Sequence, residues 1–293
     1  MIFDVFNGDA DGICALHQLR LAEPLDSELV TGVKRDLALL KRVDAHAGDR
    51  VTVLDVTVEK NLAPLTALLA AGVQVRWFDH HNPGEMPSHA HFEPHIDTSA
   101  EVCTSLLVDR HLAGRYRAWA VAAAFGDNLH GSARKAAEPL GLAEGQLDAL
   151  RELGECLNYN AYGDSVADLH FDPAELYRRL HGYADPFAFI AEAPEFATLK
   201  DGYATDMARA EALQPHEARP AGAIYVLPDA AWARRVSGVY ANDLATRHPD
   251  RAHALVTRSP RGGYVVSVRA PVNNRVGADT LCMQFESGGG RKA

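Results

Sequence analysis

Val73-Gln74-Val75-Arg76-Trp77-Phe78-Asp79-His80-His81 is the stretch that decides how this chain folds. Its first six residues are rich in β-branched and aromatic side chains, the composition of a buried strand. The run then stops on three side chains that can bind a metal. In an open parallel sheet, ligands gather in the crevice outside the carboxyl ends of the strands, so the fold turns on whether other apolar runs also end in carboxylates. Ile2-Phe3-Asp4-Val5-Phe6 leads into Asn7-Gly8-Asp9-Ala10-Asp11-Gly12, and Val51-Thr52-Val53-Leu54 leads into Asp55. A fourth run, Val121-Ala122-Ala123-Ala124-Phe125, is broken by Gly126 just before Asp127-Asn128. One aspartate after a strand is an ordinary turn former or helix cap. Four such sites beside a double histidine make a donor set of oxygens and imidazoles, which suits manganese or magnesium better than a thiolate-bound metal.

Working outward, strand-like runs alternate with helical patterns at 13–22 and 61–71, an αβ repeat whose right-handed crossovers give a parallel sheet. From 137 to 218 strand signals fade, and Ala, Leu and Glu dominate between Pro173, Pro186, Pro194 and Pro215, which reads as helices and a connector. After Pro220 strands return at 223–227, 254–257 and 264–269, with a helix at 239–246 and a hairpin turn at 258–263. The expected fold class is α/β: a parallel-sheet N-terminal domain over 1–190, a helical linker over 191–220 and a smaller α+β domain over 221–293. The Pro-containing stretch with His89, His91 and His95 reads as a solvated loop.

The chain has 293 residues, 47% hydrophobic and 23% charged, enough for a sizeable core in two domains. No run approaches the roughly 20 apolar residues of a membrane span, and Asp4, Asp9 and Asp11 interrupt any N-terminal secretion signal, so the expected location is cytoplasmic. Cys14, Cys103, Cys156 and Cys282 form no Cys-x-x-Cys pair, which points to free thiols rather than a zinc ribbon or a disulfide framework. The net charge of −10 is unevenly spread: the part from Ala221 onward carries ten basic and five acidic residues, and the part before it is about −15. An acidic lobe that holds cations and a basic lobe that neutralises an anionic substrate would divide the charge this way.

At this point the sequence resembles the DHH phosphoesterases, named for the tripeptide present here as Asp79-His80-His81. The family's first motif is similar to Asp9-Ala10-Asp11-Gly12, its second to Asp55, its fourth to Asp127, and Asp97-Thr98-Ser99-Ala100-Glu101 resembles the segment after the double histidine. Ser287-Gly288-Gly289-Gly290-Arg291-Lys292 resembles the glycine run of the family's accessory domain, usually called DHHA1. Two departures stand out. The histidine that often precedes the first aspartate pair is missing, with Val5, Phe6 and Asn7 in that stretch, and Arg291 follows the glycine run where histidine is common. Family members also usually continue beyond the glycine run, so further residues after Ala293 are expected.

The resemblance implies a hydrolase with two manganese ions, or magnesium in their place. Asp55 would bridge both, with Asp9 on one and Asp11, His80 and Asp127 on the other. His81 would contact the scissile phosphate or protonate the leaving oxygen, with Asp79 orienting a histidine, and Asn7 could add a neutral oxygen. Arg269, Gly288, Gly289, Gly290 and Arg291 would hold the substrate's far end. The substrate class is a small phosphorylated nucleotide or a short single-stranded oligonucleotide, with no membrane partner, and a homodimer is compatible with this. The competing readings are a polyphosphate or pyrophosphate hydrolase, and a non-catalytic nucleotide- or polyanion-binding module with a degenerate first motif. Asp9-Ala10-Asp11-Gly12 with Gly126-Asp127-Asn128 also superficially resembles a haloacid-dehalogenase-type phosphatase. That reading leaves Asp79-His80-His81 unexplained.

Overall fold

A computed structural model describes residues 1–259, 262–286 and 288. It divides into two compact units, Met1–Lys200 and the residues from Asp201 onward.

In the first unit, β1 (Ile2–Phe6), β2 (Glu28–Val30), β3 (Arg50–Leu54), β4 (Gln74–Asp79) and β5 (Phe92–Ile96) make one sheet in the order β2-β1-β3-β4-β5. Every neighbouring pair is parallel. The register sets Phe6 beside Leu54 and Leu54 beside Phe78. The residues that follow, Asn7, Asp55 and Asp79, therefore leave the sheet along one edge.

Strand alternation sorts the two faces. Phe3, Val5, Val51, Val53, Val75 and Trp77 turn one way and pack with Leu65 and Leu68 of α2 (Leu62–Ala70). Phe6, Leu54 and Phe78 turn the other way, into a cluster built with α1 (Ala10–Ala22), α3 (Thr104–His111), α4 (Arg117–Gly126) and α6 (Glu144–Asn160). Every residue of α1 from Ala10 to Arg20 is buried, so it is a core helix rather than an amphipathic one. The close packing of α4 on α6 depends on Gly154, where a Cβ would lie 1.9 Å from the Ala122 carbonyl oxygen.

The α1 face also carries Asp4. Its carboxylate accepts from Arg20 Nε at 2.7 Å and Nη2 at 2.5 Å and from Ser27 Oγ at 2.7 Å, and Arg20 Nη2 also donates to Thr52 Oγ1 at 3.1 Å. This buried pair fastens the C-terminal half of α1 to β1 and β3.

Two sequence expectations need correction. The run 121–125 belongs to α4, so Asp127 follows a helix rather than a strand. The stretch read as a solvated loop contains β5, where Pro94 pairs with Trp77 and His95 stacks on Phe78 with ring centroids 4.4 Å apart. Proline is tolerated there because β5 is an edge strand. The short edge strand β2 carried no sequence signal.

Helices α5 (His130–Ala137), α7 (Pro173–Leu180) and α8 (Pro186–Glu192) complete the first unit, and α9 (Pro194–Glu211) runs across the division. In the second unit, β6 (Glu217–Arg219), β7 (Gly222–Leu227), β8 (Ala252–Arg258) and β9 (Tyr264–Arg269) form a sheet in chain order. β7 and β8 are parallel, joined through α10 (Ala231–Arg247), and the outer pairs are antiparallel. The short α11 (Ala278–Cys282) follows. Among the described residues, no helix is long and apolar enough to cross a membrane. All four cysteines are free, and Cys14, Cys103 and Cys156 are buried.

Candidate metal centre

The carboxyl edge of the sheet is crowded with acids that serve the backbone as well as one another. Asp9 caps α1, its Oδ1 accepting from the amides of Asp11 at 3.0 Å and Gly12 at 3.1 Å. Gly12 has to be glycine, because a Cβ there would lie 2.1 Å from the Asn7 carbonyl oxygen. Asp11 reaches across to α3, where its two oxygens accept from the amides of Thr104 and Ser105, each at 2.7 Å.

Asp55 sits one residue beyond β3 with φ of 58°, in the left-handed region that costs a non-glycine residue backbone strain. Its amide donates to the Phe78 carbonyl at 3.0 Å, and its Oδ1 accepts from Thr104 Oγ1 at 3.2 Å. Strain tolerated at a buried acid on a sheet edge is the pattern of a functional position.

His80 is the point on which these acids converge. Its Nε2 lies 3.4 Å from Asp55 Oδ1, 3.8 Å from Asp127 Oδ2 and 3.9 Å from Asp11 Oδ2. A small divalent ion about 2 Å from each ligand holds neighbouring donors about 3–3.5 Å apart, close to the spacing of these oxygens from His80 Nε2, and the donor atoms of Asp11, His80 and Asp127 form one three-donor group. His81 also comes within 3.9 Å of Asp55, completing a second three-donor group with Asp55 and His80. The nitrogen concerned, Nδ1, is 2.7 Å from Asp79 Oδ1. It therefore carries the proton shared with the buried Asp79 and makes a poor ligand, which leaves Nε2 as the available nitrogen.

The electrostatics favour a cation among these acids. Burial pushes the Asp55 carboxyl well above the usual carboxylate range, and the neighbouring Asp9, Asp11 and Asp127 push it further. Burial also raises Asp11, against the opposing pull of His80. For His81, burial favours the neutral ring, but the hydrogen bond and charge of Asp79 outweigh it and raise its pKa. Hard oxygens and one imidazole around buried acids fit a manganese or magnesium ion.

Asp9 does not join these groups. Its Oδ2 is 2.5 Å from Lys34 Nζ, a contact the sequence reading missed altogether. The same ammonium reaches Asp127 Oδ1 at 3.3 Å and Asn158 Oδ1 at 3.1 Å. Burial opposes the charge on Lys34, yet Asp9, Tyr162 and Asp127 hold its ammonium well above the ordinary lysine range. Asp9 is correspondingly held below the usual carboxylate range, its burial outweighed by Lys34 and the Gly12 amide. Asn7 is buried, and among the described residues its Oδ1 has no hydrogen-bond partner.

In the second unit, Arg269 closes β9, where its Nε donates to Asn242 Oδ1 of α10 at 2.7 Å and its Nη1 to Ser267 Oγ at 3.0 Å. Gly288 is exposed, with its amide donating to the Phe285 carbonyl at 2.9 Å. Gly289, Gly290 and Arg291 lie outside the described residues.

No family model matches the chain, and no curated protein does. Solved structures do. Exonuclease RecJ bound to manganese superposes with a TM-score of 0.50 at 20% identity, covering 92% of this chain and 77% of RecJ. RecJ from Thermus thermophilus in complex with Mn2+ gives 0.52 at 18% identity, and this chain spans 44% of its length. PggH, a pGpG-specific phosphodiesterase from Vibrio, gives 0.54 at 14% identity, covering 99% of this chain and 90% of PggH. The fold that the DHH resemblance implied is the fold these structures share with this chain.

Proposed function

We propose that this chain, folded as RecJ and PggH are, is a divalent-metal-dependent phosphoesterase acting on the phosphodiester of a dinucleotide or a comparably short oligonucleotide. The observation that carries this reading is the convergence of Asp11, Asp55 and Asp127 on His80 Nε2, all within 3.9 Å, beside an imidazole already oriented by a buried acid. Asp11, Asp55, His80 and Asp127 would hold manganese, or magnesium in its place. A bound divalent ion lowers the pKa of water toward neutrality and offsets charge on phosphoryl oxygens.

The rest falls to the chain's own groups. Asp79 holds His81 through its Nδ1–H, which leaves Nε2 free to face the centre, and by favouring the imidazolium form it lets Nε2 donate a proton to the phosphate or to the departing oxygen. Thr104 Oγ1 steadies Asp55. A small substrate is favoured because PggH, a pGpG-specific phosphodiesterase, is matched over 90% of its length by 99% of this chain. Phosphoanhydrides would use the same groups and are the nearest competing substrates.

The test is a manganese-supplemented hydrolysis screen over linear and cyclic dinucleotides, phosphoadenosine phosphate, pyrophosphate and polyphosphate, with Asp55→Ala alongside. Linear dinucleotides should be cleaved fastest and Asp55→Ala should be inactive while still melting cooperatively. Comparable turnover by Asp55→Ala would remove Asp55 from the metal site.

A further inference from the structure

Lys34 is built into the centre. Its amide donates to the Ala161 carbonyl at 3.0 Å, its side chain is three-quarters buried, and its ammonium stands 5.7 Å from the centre of the Tyr162 ring. An ammonium has three N–H donors, and this one has three acceptors from three separate elements: Asp9 after β1, Asp127 after α4 and Asn158 in α6. No donor is left over for a phosphate, so Lys34 is not a substrate hook.

Asp9 is equally committed. Its Oδ1 takes two amides, its Oδ2 takes Lys34, and its carboxyl also shares a hydrogen bond with the Asp55 carboxyl. A divalent ion bound to Asp9 would stand within about 4–5 Å of a fixed positive charge, in a buried setting where such repulsion is poorly screened. The opposite side of the centre, where Asp11, Asp55 and Asp127 face His80, has no lysine or arginine in hydrogen bond with Asp11 or Asp55 among the described residues. Asp127 is shared, with Oδ1 toward Lys34 and Oδ2 toward His80.

We infer that the Lys34 ammonium is the permanent cation of the Asp9 half of the centre, so that this chain takes one divalent ion, on Asp11, Asp55, His80 and Asp127, where the DHH resemblance implied two. The inference rests on the phosphoesterase reading for the identity of those ligands. Lys34 is a positioning residue: it neutralises Asp9 and fixes Asp127, and it touches no reacting atom.

The experiment is to titrate metal-free full-length protein with manganese, counting ions by calorimetry and reading their mutual distance from the electron paramagnetic resonance spectrum. The parent should bind one ion per chain with the signal of an isolated ion, and two ions with an exchange-coupled signal would overturn the inference. Lys34→Arg, which keeps the charge, should stay at one. Lys34→Ala should gain a second, coupled ion, and a folded Lys34→Ala protein that still takes one would also overturn it. If Lys34→Ala does not fold, the count in the parent decides. One bound ion with no hydrolysis of any phosphoester would overturn the proposed function and leave the count standing, whereas two ions with hydrolysis would do the reverse.

Discussion

Asp4→Ala should be among the most damaging substitutions outside the metal centre. Asp4 and the Arg20 side chain are 0% and 2% exposed, and the carboxylate accepts two of the guanidinium's hydrogen bonds. Removing Asp4 leaves Arg20 charged, buried and, among the described residues, bonded only to Thr52 Oγ1 and, at 3.5 Å, the Glu23 carbonyl. Breaking one side of a buried pair costs about 3–5 kcal/mol, because the remaining charge has lost both solvent and partner. For a unit of this size each kcal/mol lowers the melting temperature by about 2–4 °C, which gives a fall of roughly 6–20 °C. The assay is thermal unfolding followed by the fluorescence of Trp77 and Trp119, both fully buried in the same unit. Replacing both partners, Asp4→Leu with Arg20→Met, removes the stranded charge and should recover most of the loss. A single variant melting within about 2 °C of the parent, or a double variant no better than the single, would refute the assignment of the pair as the clamp on α1.

Other outcomes follow from the same geometry. Asp79→Asn removes the group that raises the His81 pKa. If protonated His81 serves as the acid, activity is present below its pKa and lost as pH rises through it, so the alkaline limb of the pH–rate profile should move to lower pH, and an unmoved limb would detach His81 from proton transfer. Gly154→Ala forces a Cβ against the Ala122 backbone and should cost roughly 1–3 kcal/mol of stability by denaturant titration, with manganese stoichiometry unchanged.

How far the sequence could be read depended on how local the determining physics was. β1, β3 and β4 were legible because each is a largely apolar run with an acid at its end or a few residues beyond, and that is also why Asp9, Asp11, Asp55 and the Asp79-His80-His81 string could be found. β5 was missed because Pro94 and three histidines look like a loop, and only the edge position, set by the whole sheet, makes a strand acceptable there. Asp127 was found for a wrong reason, since the alanine-rich run before it is helical. Lys34 had no local signal at all. It lies 25 residues from Asp9 and 93 from Asp127, and in a charge count it is one basic residue in an acidic lobe.

Asp9 and Asp11 also hold the first turns of two helices, so natural selection acts on them for folding whatever chemistry they serve. A descendant of this chain that gave up turnover would still be penalised for losing either one, and its Asp-x-Asp-Gly string would persist as an architectural fossil. His80 and His81, partly exposed and capping no helix, have no such second duty. Across a lineage, it is the survival of that pair, rather than of the aspartates before it, that would record whether the chemistry was kept.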